Sequence, residues 1–110
     1  MNPDYSALDL AAGRPAAGVA ITLHEIGASA RGLLRETSTN ADGRTDGPLI
    51  SGEPLRIGTY ELSFHVGDYF GASSALFGVV PIRFAIAEPE GHYHVPLLVT
   101  PWGYTTYRGS

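Results

Sequence analysis

The chain has 110 residues, 44% of them hydrophobic and 16% charged, with no cysteine. That length suits one domain, and the missing thiols exclude a disulfide framework, a cysteine nucleophile, a Cys-ligated zinc and an iron–sulfur cluster. Eleven acidic residues against seven basic ones, every one arginine, leave a net charge of −4, and without a basic run to neutralise phosphates this balance argues against nucleic acid as a partner.

The opening Met1-Asn2-Pro3-Asp4-Tyr5 lacks the basic start and apolar run of a signal peptide. No stretch approaches the roughly 18 apolar residues of a membrane-spanning helix, so no membrane contact and a cytoplasmic location are expected. Strand signals begin at Tyr5–Leu10. Beyond the Gly13-Arg14-Pro15 turn, Gly18 to Ile26 alternates, with Val19, Ile21 and Leu23 facing one way and Ala20, Thr22 and His24 the other, the period of a half-buried strand. Leu33–Thr37 is a further candidate, followed by turn chemistry at Asn40-Ala41-Asp42-Gly43, Asp46-Gly47-Pro48 and Gly52-Glu53-Pro54. Thr59 to Val66 puts Tyr60, Leu62 and Phe64 on one face, and a short helix is expected around Asp68–Ala75. Val80, Ile82, Phe84 and Ile86 make one inward row; after the Glu88-Pro89-Glu90-Gly91 turn, Tyr93, Val95, Leu97 and Val99 make another. Tyr104–Arg108 completes the set, an aromatic, β-prone ending expected to dock in the sheet. Seven or eight short strands at this spacing predict an all-β fold, an antiparallel β-sandwich with one short helix. Residues 1–110 show no domain boundary, repeat or low-complexity segment.

Chemistry concentrates at His92-Tyr93-His94. Side chains alternate along a strand, so His92 and His94 share the face opposite the apolar row, about 7 Å apart. Such a pair can bind a metal, divide acid and base roles, or sit in water; spacing alone leaves all three open. Arg44 follows an Asp-Gly turn at the start of the next element, where loops often carry function, and reads equally as a solvated charge. His24 and His65 are lone histidines with a structural reading. The G-x-S-x-G, P-loop, G-x-G-x-x-G and H-E-x-x-H patterns do not occur.

Taken together, Leu8-Asp9, Gly13-Arg14-Pro15-Ala16, Asn40-Ala41-Asp42-Gly43-Arg44, Gly58-Thr59-Tyr60, Tyr69-Phe70, His92-Tyr93-His94-Val95-Pro96-Leu97-Leu98 and the terminal Tyr107-Arg108-Gly109-Ser110 resemble the transthyretin-related 5-hydroxyisourate hydrolases over nearly the whole chain. The last two motifs separate those enzymes from the hormone carrier transthyretin. The resemblance implies an eight-stranded transthyretin-like sandwich, a homotetramer built as a dimer of dimers, and active sites in the channel between subunits. It implies hydrolysis of 5-hydroxyisourate to 2-oxo-4-hydroxy-4-carboxy-5-ureidoimidazoline in urate breakdown. Carried over by position, His94 becomes the proton-transfer histidine, with His92 beside it. Arg44 becomes the cation for substrate or developing negative charge, and Tyr107, Arg108, Gly109 and Ser110 become the terminal wall, Ser110 counted with the catalytic set. Water attack on a ring carbonyl needs a base and an oxyanion partner, which His and Arg supply together, so no cofactor or metal is expected.

One position departs. Family members usually read T-H-V-L-D near the N-terminus, with that histidine among the catalytic residues; aligned on Leu8-Asp9, its place is taken by Ser6, counted here with the substrate-binding residues. A serine has no group that titrates near neutral pH. Either His92 and His94 suffice, or Asp9 or another subunit compensates, or the chemistry has changed. Leu76-Phe77-Gly78 where F-F-P is usual, Thr105-Thr106 before the terminal motif, and the large aromatic of Pro101-Trp102-Gly103 are smaller departures. A relative diverted to another hydrolytic, ring-opening or cyclisation reaction on a small heterocycle is the second expectation. A non-catalytic binding module is the third, opposed by the joint presence of Arg44, His94 and Tyr107–Ser110.

Overall fold

In a computed structural model, residues 3–27, 31–44, 57–71, 75–87 and 93–107 are described. Two four-stranded sheets stack face to face. The first runs in the order β2 (Arg14–Pro15), β1 (Pro3–Asp9), β7 (Tyr93–Thr100), β8 (Gly103–Thr106). The second runs β4 (Arg31–Ser38), β3 (Ala20–Ile26), β5 (Gly58–Phe64), β6 (Val80–Ile86). One short helix, α1 (Val66–Phe70), follows β5.

The inward rows expected from alternation form the core between the sheets. Ile21, Leu23, Tyr60, Leu62, Phe64, Val80 and Ile86 from the second sheet are buried, as are Ala7, Val95, Leu97 and Val99 from the first, and Ile82 and Phe84 pack against them. Truncating a fully buried core side chain such as Leu62 costs about 2–5 kcal/mol. Among the described residues, no helix is long and apolar enough to cross a membrane.

Four features differ from expectation. The pairing is antiparallel with one exception, since β1 runs parallel to β7 with Ser6 opposite Pro96 and Leu8 opposite Leu98; period-two patterning is blind to strand direction. Part of the Gly13-Arg14-Pro15 turn pairs back onto β1 as the two-residue β2. The helix spans Val66–Phe70 rather than Asp68–Ala75, and Val66 belongs to it rather than to β5. Its start is fixed by Gly67, whose N–H donates to the Gly78 carbonyl at 2.8 Å and where a Cβ would come within 2.9 Å of Gly78 Cα. Its end is set by Gly71, at φ +97 with its N–H on the Gly67 carbonyl, a conformation that only glycine adopts freely. The last strand likewise stops at Thr106, short of the expected Arg108.

On the outer face of the second sheet His24 lies opposite Glu61, and Glu61 opposite Arg83. Glu61 is buried there and accepts from Arg83 at 3.0 and 3.1 Å. The His24 Nδ1 is buried without a hydrogen-bond partner, consistent with a structural histidine. His65 caps no helix with its side chain; its backbone N–H donates to the Ala20 carbonyl.

The end of β1 is tied down by Asp9, 5% exposed. Its Oδ1 accepts the N–H groups of Ala11 and Ala12, each at 3.0 Å, and its Oδ2 accepts the Tyr69 hydroxyl at 2.8 Å. A carboxylate holding three donors fixes the β1–β2 turn against α1. Burial first, then the hydrogen bond to Asp9 and that carboxylate's charge, push the Tyr69 hydroxyl above its ordinary 10.0, with Arg14 opposing. Below pH 10 both folded and unfolded chains keep this proton, and the stabilisation is whole. As pH rises from about 10 toward the raised folded value the unfolded chain loses its proton first, so stability falls. Tyr69→Phe is therefore expected to cost about 1–2 kcal/mol at neutral pH and to flatten the alkaline decline. Urea melts of both proteins across pH 8–12 check this; equal alkaline slopes would remove the role given to Tyr69.

Candidate active site

Alternation along β7 turns Val95, Leu97 and Val99 into the core and His94 to the opposite face, where it is half-buried. The parallel register beside it does the same for β1: Ala7 and Asp9 face inward, and Ser6 and Leu8 share the outer face with Pro96 and Leu98. Residues at the two far ends of the sequence thus meet on one sheet surface. Ser6 Oγ lies 3.3 Å from His94 Nε2, a long hydrogen bond whose donor depends on the tautomer. Pro96 has no N–H to give the ladder, so the strand beside Ser6 is one donor short, and Thr106 secures it from the other side by donating its hydroxyl to the Pro96 carbonyl at 2.7 Å.

Arg44 arrives from the loop after β4. The Gly43 carbonyl accepts the Ala7 N–H at 2.9 Å, and the Ala7 carbonyl accepts the Ala16 N–H at 3.0 Å. Both peptide groups of Ala7, the residue after Ser6, are therefore engaged on the side away from β7. Gly43 is at φ +74, and a Cβ there would meet the Ala7 carbonyl oxygen at 2.4 Å, so this close docking requires glycine. The exposed Arg44 follows directly, starting from the stretch of β1 that carries Ser6.

Of the expected site residues, the structure brings Ser6 and His94 into contact and docks the Arg44 loop one residue along. Tyr107 is exposed just beyond β8, whose Thr106 pairs with Leu97. His92, Arg108, Gly109 and Ser110 lie outside the described residues. Asp9 does not stand in for a histidine at position 6: it faces inward, engaged by Tyr69 and the β1–β2 turn. Among the described residues, no group of three or more His, Asp or Glu side chains comes together to hold a metal; the His92–His94 pair is not wholly among them.

On the same face, roughly 13 Å along β7 from His94, an open depression is lined by Leu10, Leu98, Thr100, Gly103, Tyr104 and Thr105. Leu98 lies directly opposite Thr105 in it, so apolar and hydroxyl-bearing side chains alternate along its lining. Asn40, read from the sequence only as part of a turn, accepts the Arg44 N–H through its side chain; the Asn-x-Asp-Gly pattern, which favours a side-chain-closed turn, is the signal that pointed to it.

A serine against a histidine, with an arginine loop docked alongside, suits proton transfer and charge stabilisation at a small polar substrate. Comparison with known proteins is consistent with that reading. The model of the HIUase/Transthyretin family matches residues 5–109. The 5-hydroxyisourate hydrolase 2 of Rhizobium meliloti is 52% identical over 109 residues, covering 94% of this chain and 91% of the relative. The crystal structure of (S)-allantoin synthase superposes with a TM-score of 0.89 at 39% identity, covering 99% of this chain and 43% of that longer one. The Klebsiella pneumoniae 5-hydroxyisourate hydrolase superposes with a TM-score of 0.85 at 33% identity, covering 100% of this chain and 94% of that one. With sequence matched almost end to end and both sheets superposed, the chain belongs to the HIUase/Transthyretin family.

Proposed function

We propose that this protein hydrolyses 5-hydroxyisourate to 2-oxo-4-hydroxy-4-carboxy-5-ureidoimidazoline, with His94 as the proton-transfer base and Arg44 as the oxyanion partner. The observation that carries the reading is the Ser6–His94 contact on an open sheet face beside the docked Arg44 loop. Hydrolase relatives at about half identity over nearly the full length support the substrate. Water attacks a ring carbonyl of the substrate while His94 takes its proton, and the developing negative oxygen is met by the Arg44 guanidinium. As the oxyanion collapses, the ring C–N bond breaks, the departing nitrogen receives the proton back from His94, and the carboxylic acid formed at the carbonyl carbon releases its remaining proton to solvent as it becomes a carboxylate. With Nε2 of His94 acting as the base, the Ser6 hydroxyl is the donor of their contact in the resting site and yields that nitrogen to the incoming water. His92 and Ser110 are assigned to the catalytic set, and Tyr107, Arg108 and Gly109 to the substrate-binding wall, by their place in the family's motifs.

Ser6 itself favours a second reading, a relative diverted to a different hydrolytic, ring-opening or cyclisation reaction on a small heterocycle. Generating 5-hydroxyisourate from urate with urate oxidase and following its ultraviolet band separates the two. The hydrolase reading expects decay well above the spontaneous rate. His94→Ala should then lower kcat/KM by about 10²- to 10⁴-fold and Arg44→Ala by about 10²- to 10³-fold. Decay at the spontaneous rate, rising only in Ser6→His, would instead establish the diverted reading.

The assembly assigned to the chain is a homotetramer. It is supported by the exposed apolar side chains Leu8, Leu10, Trp102, Tyr104 and Tyr107 on and around the first sheet, which a second copy would cover. Light scattering on the purified protein should give about four times the 11.6 kDa of one chain; a mass near that of one chain would rule the tetramer out.

A further inference from the structure

We propose that Asn40 is the positioning residue for Arg44, an inference that rests on the hydrolase reading given above. A long cation on an exposed loop serves a reaction only if its backbone departs from a fixed point. The loop between Ser38 and Arg44 is anchored first at Thr39, whose backbone and hydroxyl hydrogen-bond to Ala16, Gly18 and Val19; from there to Arg44 it is closed by Asn40. The Asn40 Oδ1 accepts the Asp42 N–H at 2.9 Å and the Arg44 N–H at 3.1 Å. The Asn40 N–H donates to the Arg44 carbonyl at 2.6 Å, and the Asn40 carbonyl accepts the Gly43 N–H at 2.9 Å. Two of these hydrogen bonds end on the peptide groups of Arg44 itself, closing a ring of backbone from position 40 to position 44.

That closed loop is then fastened to the site. Gly43 turns its carbonyl onto the Ala7 N–H at 2.9 Å, and the neighbouring Ser6 reaches His94. The chain of fixed points therefore runs from the Asn40 side chain through the Arg44 amide and the Gly43 carbonyl to the strand bearing Ser6. An acceptor oxygen two bonds from Cβ is what this closure needs: asparagine and aspartate have it, and alanine does not. Thr39 and Gly43 are buried and tie the two ends of the loop independently of the Asn40 side chain, so the effect of losing Oδ1 falls on the direction of Arg44 rather than on the fold.

The test compares Asn40→Ala, Asn40→Asp, Arg44→Ala, the double variant Asn40→Ala/Arg44→Ala, and Ile86→Val as a destabilised control in the core on β6 of the second sheet. Kinetics with 5-hydroxyisourate and amide hydrogen exchange at Arg44 are the two readouts. Asn40→Ala should lower kcat about 10- to 100-fold, speed exchange at the Arg44 amide, and add less than about twofold when Arg44 is already alanine. Asn40→Asp should restore both the protection and most of the activity, and Ile86→Val should keep the wild-type kcat. Wild-type kcat in Asn40→Ala beside an impaired Arg44→Ala overturns this inference alone, as do additive losses in the double variant. Unimpaired Arg44→Ala overturns the role given to Arg44 and the inference with it.

Discussion

The parallel pairing of β1 with β7 is the constraint on which the rest of the site depends. It joins positions 3–9 to positions 93–99, so nearly the whole chain must close a loop before the pair can form. Closure over that distance costs entropy that grows slowly with length, and the pairing offsets it by burying Ala7 against Leu97 and Asp9 against Val99 on the inner face. The strand is held along both edges. Leu10 donates to the Val99 carbonyl at 2.9 Å, Ala7 is clasped by Gly43 and Ala16, and Asp9 collects the turn amides and Tyr69. With side-chain period fixed at two, a slip of one residue would turn Ser6 into the core and Ala7 toward His94.

Everything chemical on the outer face follows from that register. His94 is aimed by its strand, Ser6 is aimed by its neighbour strand, and the loop that bears Arg44 is hydrogen-bonded to Ala7, the residue beside Ser6. Placing each group on a different element, fixed by backbone hydrogen bonds, leaves little reorganisation for the moment of reaction, which is where positioned charges gain most. A serine at position 6 contributes a hydroxyl that can donate or accept but takes up no proton near neutral pH, so in this account a single histidine among the described residues carries the proton transfer.

The sandwich was legible because each long strand presents an apolar row to the core and polar residues to the other face; Ile21, Leu23, Leu62, Phe64, Val95 and Leu97 all fall where alternation puts them. The same alternation correctly sent His94 outward. Strand direction was not legible, since a parallel and an antiparallel neighbour leave the same pattern. Nor was the helix start, which depends on Gly67 lying against Gly78, a contact between residues eleven apart. Asp9 was read as a possible helper for the histidine pair, yet its inward placement makes it a fastener. The Asn40–Arg44 turn was visible as turn chemistry, but its docking on Ala7 is a non-local backbone contact with no signature in residue type beyond Gly43.

The most direct test of the central claim reads the imidazole of His94 by nitrogen-15 NMR in the wild-type protein and in Ser6→Ala. Because β1 places Ser6 against Nε2, the Nε2 resonance should move on loss of the hydroxyl, whereas the imidazole resonances of His24 and His65 should stay in place. An unchanged His94 spectrum would mean that β1 does not bring Ser6 to the histidine, and the site would have to be rebuilt on a different register.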